Sequence, residues 1–322
     1  MKNNIYYFII ISLFLLMSCN HNESTNFNLK VKRLDAIYSA DPYNTSYEDY
    51  ANEYGYFWDV YSQNVIFLPS KSFADSLSSF QQEQDFAKPY KDVINQYQDF
   101  SLQHKKLSRA FYHYNLAFPN KLIPTIVTFF GGFNYVAIVT DSTLGIGLEM
   151  FLGNNNYYSN LTHKFPKYMH HQFHPEYLTS VAINGWLESE FPVAFDSFLF
   201  QMIHFGKIKY ALNKFLVDAP SNIIMGFTEA QMEWCKNSEF SIWKFLIEQG
   251  LLYSKDQYLI RKYMKPAPYS KGMPRESPGQ VAIWMGWNIV DEFMENNSEV
   301  TISELFQIND AQYILNQSKY KP

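Results

Sequence analysis

The chain of 322 residues is 47% hydrophobic and only 18% charged, which excludes disorder over most of its length. Two cysteines exclude a disulfide framework and a cysteine-built zinc module. A net charge of −5 excludes a general nucleic-acid footprint, and 18% aromatic residues promise large contact areas, in a core or on a partner surface.

The first element is an export signal over residues 1–18. Lys2 supplies a basic start, and the apolar run Ile5 to Met17 is too short for a comfortable membrane span. It ends in Leu16-Met17-Ser18-Cys19, which resembles a bacterial lipobox. That resemblance implies cleavage before Cys19 and acylation of its thiol and new amino group. At about 0.8 kcal/mol per buried CH₂, three acyl chains would hold the chain on a lipid bilayer without a spanning helix. Asn20 to Asn28 is polar with one aromatic residue, so 19–30 is expected to be a tether and 31–322 a single globular domain. No dense acidic run follows Cys19, which favours the periplasmic side.

From Ser70 to Phe118 the apolar residues recur at helical spacing, through Phe73, Leu77 and Phe80, then Val93, Tyr97 and Phe100, then Leu107, Phe111 and Tyr114. Pro89 and Pro119 are expected to punctuate this region. Leu122 to Phe130, Tyr135 to Thr140 and Leu144 to Phe151 read as three strands of an antiparallel meander, turning at Gly131-Gly132, with Pro124 near an edge. Helices follow from Pro175 to about Glu190, and from Pro192 to Val217 with Phe195, Phe198, Met202, Ile203 and Leu212 on its apolar faces. The spacing predicts another over Thr228 to Gln249, with a Thr228–Gln231 capping box and a stop at Gly250. Lys265 to Gly279 is a proline-rich loop, and Gln280 to Glu295 is helical through Trp284 and Trp287. With no linker and no repeat, the expected architecture is α+β, one mostly helical domain with a small antiparallel sheet.

Few residues recommend themselves for chemistry. There is no Gly-x-Ser-x-Gly elbow and no phosphate loop, and Gly145-Ile-Gly147 lacks the third glycine of a dinucleotide site. Cys235, in Trp-Cys-Lys within a helix, is expected to be a buried thiol. His170 and His174 have metal-ligand spacing if helical, but Pro175 biases His174 away from helical backbone, so a solvated loop is expected. His204, alone in an apolar helix, is expected to be a hydrogen-bonded core residue and is a weak metal candidate.

Several stretches together resemble the gliding-motility lipoprotein GldB family of Bacteroidota. They are Met202 to Tyr210, Gly226 to Cys235, Ile242-Trp243, Leu252-Tyr253-Ser254, Pro266 to Tyr269, Ser277-Pro278-Gly279, Trp284 to Val290 and Ser318 to Pro322. Phe129 to Tyr135, Gly147 to Gly153 and the lipobox fit as well. The resemblance implies an envelope lipoprotein needed for surface gliding, with links to the type IX secretion apparatus and no established catalytic residues. A more distant similarity is to zincin-like lipoproteins, in which a helix carrying His-Glu-x-x-His follows an edge strand. Aligned on His204, the base position is Phe205 and the second ligand position is Ile208, and neither side chain can take a proton or a metal.

The expected function is therefore binding or assembly at a membrane-anchored envelope site, facing the periplasm, with no cofactor and no nucleic acid. Its partners would be the lipid bilayer through acylated Cys19 and other gliding or type IX secretion proteins. Any retained cleft would serve binding, with Gly131, Gly132, Asn134, Tyr135 and Glu149 as candidate residues. The alternative is a zinc-dependent, peptidase-like hydrolase drawing on His204 and Glu239.

Overall fold

The computed structural model describes residues 27–322, apart from Asn154 and Phe195. The signal, Cys19 and the helix position given to Phe195 lie outside the described residues. Packing starts earlier than residue 31, because Phe27 packs against the core and Leu29 is buried.

The first strand, β1 (Val31–Arg33), is followed by a 3-10 turn and two helices, α1 (Tyr47–Tyr54) and α2 (Tyr56–Asn64). Gly55, at φ +57°, lets the chain turn between them. Next come α3 (Phe73–Gln82), α4 (Gln84–Tyr97) and α5 (Ser101–Ala117). Pro89 does not punctuate: it lies inside α4, and the break falls at the extended Glu83. One helical bond is forfeited there, but the Pro89 ring is buried together with Tyr90 and Val93.

The sheet is mixed and not an antiparallel meander. Its order is β1-β2-β4-β3, with β2 at Thr125–Phe129, β3 at Ala137–Val139 and β4 at Thr143–Gly147. β1 and β4 both run parallel to β2, with Val31 opposite Ile126 and Gly145 opposite Val127. Only β3 is antiparallel, to β4. The polar β1 arrives from far upstream to cover β2, so Pro124 immediately precedes an interior strand, where its missing N–H interrupts no ladder. Beyond Gly147 the expected third strand becomes a 3-10 turn, Leu148–Phe151.

Alternation along β2 sends its side chains to two cores. Val127 and Phe129 meet Phe57, Trp58, Tyr61 and Leu77, while Ile126 and Phe130 join the larger helical core with Leu144 and Ile146. That core contains the short α6 (Asn155–Ser159), then α7 (Leu178–Glu190) and α8 (Phe198–Phe215). α8 begins six residues after Pro192, because the Ser197 hydroxyl accepts from the Phe200 N–H at 3.3 Å and caps it there. After α9 (Ser221–Met225), the predicted 228–249 helix is two, α10 (Glu229–Asn237) and α11 (Glu239–Glu248), interrupted at Ser238. Serine and asparagine side chains compete for backbone bonds, which weakens a helix at Asn237-Ser238. The Thr228–Gln231 capping box and the left-handed Gly250 stop stand as predicted.

The chain closes with α12 (Gln257–Met264), the proline-rich loop, α13 (Val281–Asn296), α14 (Ile302–Gln307) and α15 (Ala311–Ser318). Trp284 and Trp287 of α13 are buried, but Trp243 of α11 is only half-buried, because it packs edge-on against Tyr320 at the surface. The architecture is α+β, mostly helical with one small sheet. Among the described residues no helix is long and apolar enough to cross a membrane.

Candidate functional site

The carboxyl ends of the three parallel strands lie on one edge of the sheet, where open α/β sheets gather their functional groups. Asp35 follows β1, the Gly131–Tyr135 loop follows β2, and Glu149 follows β4. Because β4 lies between β2 and β3, the loop from β2 must cross over the end of β4. The crossing is close. A β-carbon on Gly147 would sit 2.4 Å from the Tyr135 carbonyl oxygen, so only glycine passes.

Beneath that loop Glu149 is fully buried. Its Oε1 accepts from the backbone N–H groups of Gly131 at 2.8 Å and Phe133 at 3.1 Å. Gly132 and Phe133 both have φ of +61°, left-handed backbone that brings the N–H groups of Gly131 and Phe133 together on one oxygen, as in an anion-holding nest. Oε2 has no hydrogen-bond partner. Burial pushes the Glu149 carboxyl up to about 7; the two N–H donors oppose the rise and the negative Asp35 adds to it.

The nest is sealed from outside. A β-carbon on Gly131 would lie 2.7 Å from Val65, and one on Gly132 would lie 2.6 Å from the Phe86 ring. Asn134 ties the loop down by donating to the Val65 and Gly131 carbonyls, and its Oδ1 accepts from Lys164 at 2.8 Å. Tyr61 donates to the Phe130 carbonyl at 2.7 Å. Of the five candidate cleft residues, Gly131, Gly132, Asn134 and Glu149 therefore form one tightly bonded unit, while Tyr135 faces solvent. An open groove of about 550 Å³ runs beside them, between Phe67, the Asp75–Ser79 face of α3 and the Glu83–Phe86 turn after it. Phe67 holds its ring 71% exposed on a left-handed backbone, an unusual conformation for a bulky residue.

A carboxyl titrating near neutrality is suited to proton transfer only if it reaches a substrate. Glu149 is closed off and instead caps a loop. Asp35, also buried, is held by Arg33 in a two-bond fork at 2.7 and 2.8 Å and accepts from Thr128.

The remaining candidates are also bound into the fold. Nε2 of the half-buried His204 donates to the Phe191 carbonyl at 3.0 Å, and burial holds its pKa below the ordinary value. Glu239 accepts from Asn288 at 2.7 Å and from the Tyr320 hydroxyl. Cys235 is buried, and burial pushes its thiol up to about 12, leaving little thiolate. The His170–His174 stretch is a 3-10 helix ending at Phe173, and not a solvated loop. Its His170 is buried against the Phe165 carbonyl at 2.8 Å, and His171 bonds the Gly226 carbonyl at 2.9 Å, so the rings serve different segments. Among the described residues no group of three or more His, Cys, Asp or Glu side chains is gathered where it could hold a metal.

Asp35 and Lys207 were not singled out by sequence. The signal for Lys207 was available: it stands four residues after Ile203 on the face of α8 that is otherwise apolar. Asp35 carries no such signal: Arg33 stands two residues before it, but the Thr128 hydroxyl that completes its site is 93 positions away.

One family model, described as gliding motility protein GldB, matches residues 19–322. No curated protein and no solved structure matches the chain.

Proposed function

The chain belongs to the gliding motility protein GldB family, and from that premise we propose that it is an envelope lipoprotein acting by binding or assembly and not by catalysis. Acylated Cys19 anchors it to the bilayer with its folded body on the periplasmic side, where it engages other gliding and type IX secretion proteins. The family match begins at Cys19, the residue a lipobox would make the mature terminus, which supports the anchor.

The observation that carries the non-catalytic role is the enclosure of Glu149. Its titration near neutrality gives it the proton affinity of an acid–base group, yet both glycines above it are packed against Val65 and Phe86. His204 and Glu239, the residues a hydrolase would draw on, are likewise engaged by the Phe191 carbonyl and by Asn288 with Tyr320.

In-cell cross-linking of gliding cells tests this role. A binding or assembly protein should be recovered joined to a defined envelope protein, and the joined species should disappear with Cys19→Ser. Recovery of an uncomplexed chain from actively gliding cells would count against it.

A further inference from the structure

A second cavity lies between α8, the 190–194 segment and the turn that joins α14 to α15. Its volume is about 280 Å³. Aromatic rings form much of its wall: Phe191 and Phe306 pack with centroids 4.1 Å apart, and Phe200 stacks beside His204. Lys207 also lines it, with only 6% of its surface exposed.

The charge on Lys207 is unbalanced. Its ammonium offers three donors, but it makes one hydrogen bond, to the Ile308 carbonyl at the C-terminal cap of α14. No acidic side chain among the described residues pairs with it; Glu190, the acid in the cavity wall, is engaged by Lys121 at 2.8 Å. A buried cation without a counter-ion destabilises a fold, and native proteins rarely keep one unless something completes it.

We propose that this cavity binds a small carboxylate with an apolar body, the carboxylate meeting Lys207 Nζ and the body lying among Phe191, Phe200, Ile203 and Phe306. The ligand is anionic because the wall supplies a cation that no acidic side chain among the described residues pairs with. It is small because the cavity falls at the lower end of ligand-pocket volumes. A carboxylate suits the site better than a phosphate, which needs several convergent donors and here would meet a single lysine, since His204 Nε2 is committed to the Phe191 carbonyl. The same chemistry is offered by a free aromatic acid and by the C-terminus of a peptide that ends in an apolar residue.

Isothermal titration of the full-length chain in lipid nanodiscs separates these cases. The probes are hydrocinnamate, its amide, inorganic phosphate and a dipeptide ending in a free phenylalanine carboxylate. Hydrocinnamate should bind at one site per chain, and the amide and phosphate at least about tenfold more weakly, because a charge-assisted bond is lost. Binding of the dipeptide assigns the site to peptide termini, and its failure beside hydrocinnamate assigns it to free acids. Lys207→Met should abolish binding while melting no lower than the parent, since it removes an unpaired buried charge. The proposal is overturned if neither carboxylate binds, if the amide binds as well as the acid, or if Lys207→Met retains binding. The acid–amide comparison needs no variant, so a misfolded Lys207→Met chain leaves the test intact.

Discussion

Gly206 of α8 and Gly286 of α13 meet at the crossing of the two helices. A β-carbon on Gly206 would lie 2.3 Å from the Gly286 carbonyl oxygen, and one on Gly286 would lie 1.9 Å from the Met202 carbonyl oxygen. Two backbones in direct contact cannot make room by rotating a side chain, so the pair sets the separation of the central helices. His204 and Lys207 flank Gly206 on α8, and Trp284 and Trp287 flank Gly286 on α13, so the same crossing positions the ammonium in its cavity and two buried tryptophans in the core.

Gly286→Ala should destabilise the protein by about 2–4 kcal/mol, at or above the usual cost of overpacking, because the obstacle is backbone. Gly185→Ala in α7 is the matched control, since nothing lies within 4 Å of its added carbon. There the substitution should be neutral or stabilise by roughly 0.5–1 kcal/mol, as expected within a helix. Denaturant unfolding of both variants measures the contrast, and equal effects would mean the crossing is not close-packed.

Glu149 should make stability fall as pH rises. Its folded-state pKa of about 7 stands above the ordinary 4.5, so between those values the folded chain holds a proton that the unfolded chain has released. The contribution is complete below the unfolded value and is lost as pH passes through the folded one, a change of roughly 3 kcal/mol. Glu149→Gln keeps an oxygen for the Gly131 and Phe133 N–H groups and cannot titrate. The difference in unfolding free energy between parent and variant, measured across pH 4 to 8, should slope accordingly. A flat difference would place the carboxyl in an ordinary environment.

Tyr320 should fasten the C-terminus. Its hydroxyl donates to Glu239, and its ring receives the edge of Trp243. Tyr320→Phe should cost about 1–2 kcal/mol, because the half-buried carboxylate keeps only Asn288. Trp284→Ala should cost about 3–5 kcal/mol as a buried aromatic, and Trp243→Ala distinctly less. Melting curves of the three variants give the order directly, and a reversal of the two tryptophans would contradict the packing described.

Cys19→Ser should leave an unacylated precursor. Metabolic palmitate labelling reads this, and label persisting in the variant would rule out Cys19 as the anchor.

What could be read along the sequence was local. Thr228 with Gln231, and Gly250, announce helix ends through bonds made within a few residues, and they stand where predicted. The sheet was less legible because its pairing is distant. The Val-Lys-Arg of β1 has no alternating pattern and finds its partner at Ile126–Thr128, more than 90 positions on. The contact of Gly206 with Gly286 has no signature in a single chain, since a helical glycine looks alike whether it touches another backbone or open space. At the sheet edge, Gly131-Gly132 signalled a turn, and Glu149 was a candidate only through the family-like stretch Gly147 to Gly153. That the first encloses the second depends on the β2–β3 loop crossing over β4, a matter of topology.

If the chain serves gliding by binding and not by catalysis, as proposed, its acid–base groups are dispensable for movement. The most direct measurement is colony spreading of cells whose own copy is replaced by the triple variant Glu149→Gln, His204→Gln, Glu239→Gln. At 149 and 239 the amide keeps an acceptor oxygen for the hydrogen bonds described, and at 204 its NH₂ can still donate to the Phe191 carbonyl, while the acid–base groups a hydrolase would need are gone. Spreading at the parental rate, with the protein present at parental level, is the predicted result. Loss of spreading by a variant that still folds, is acylated and reaches the envelope in normal amount would contradict it.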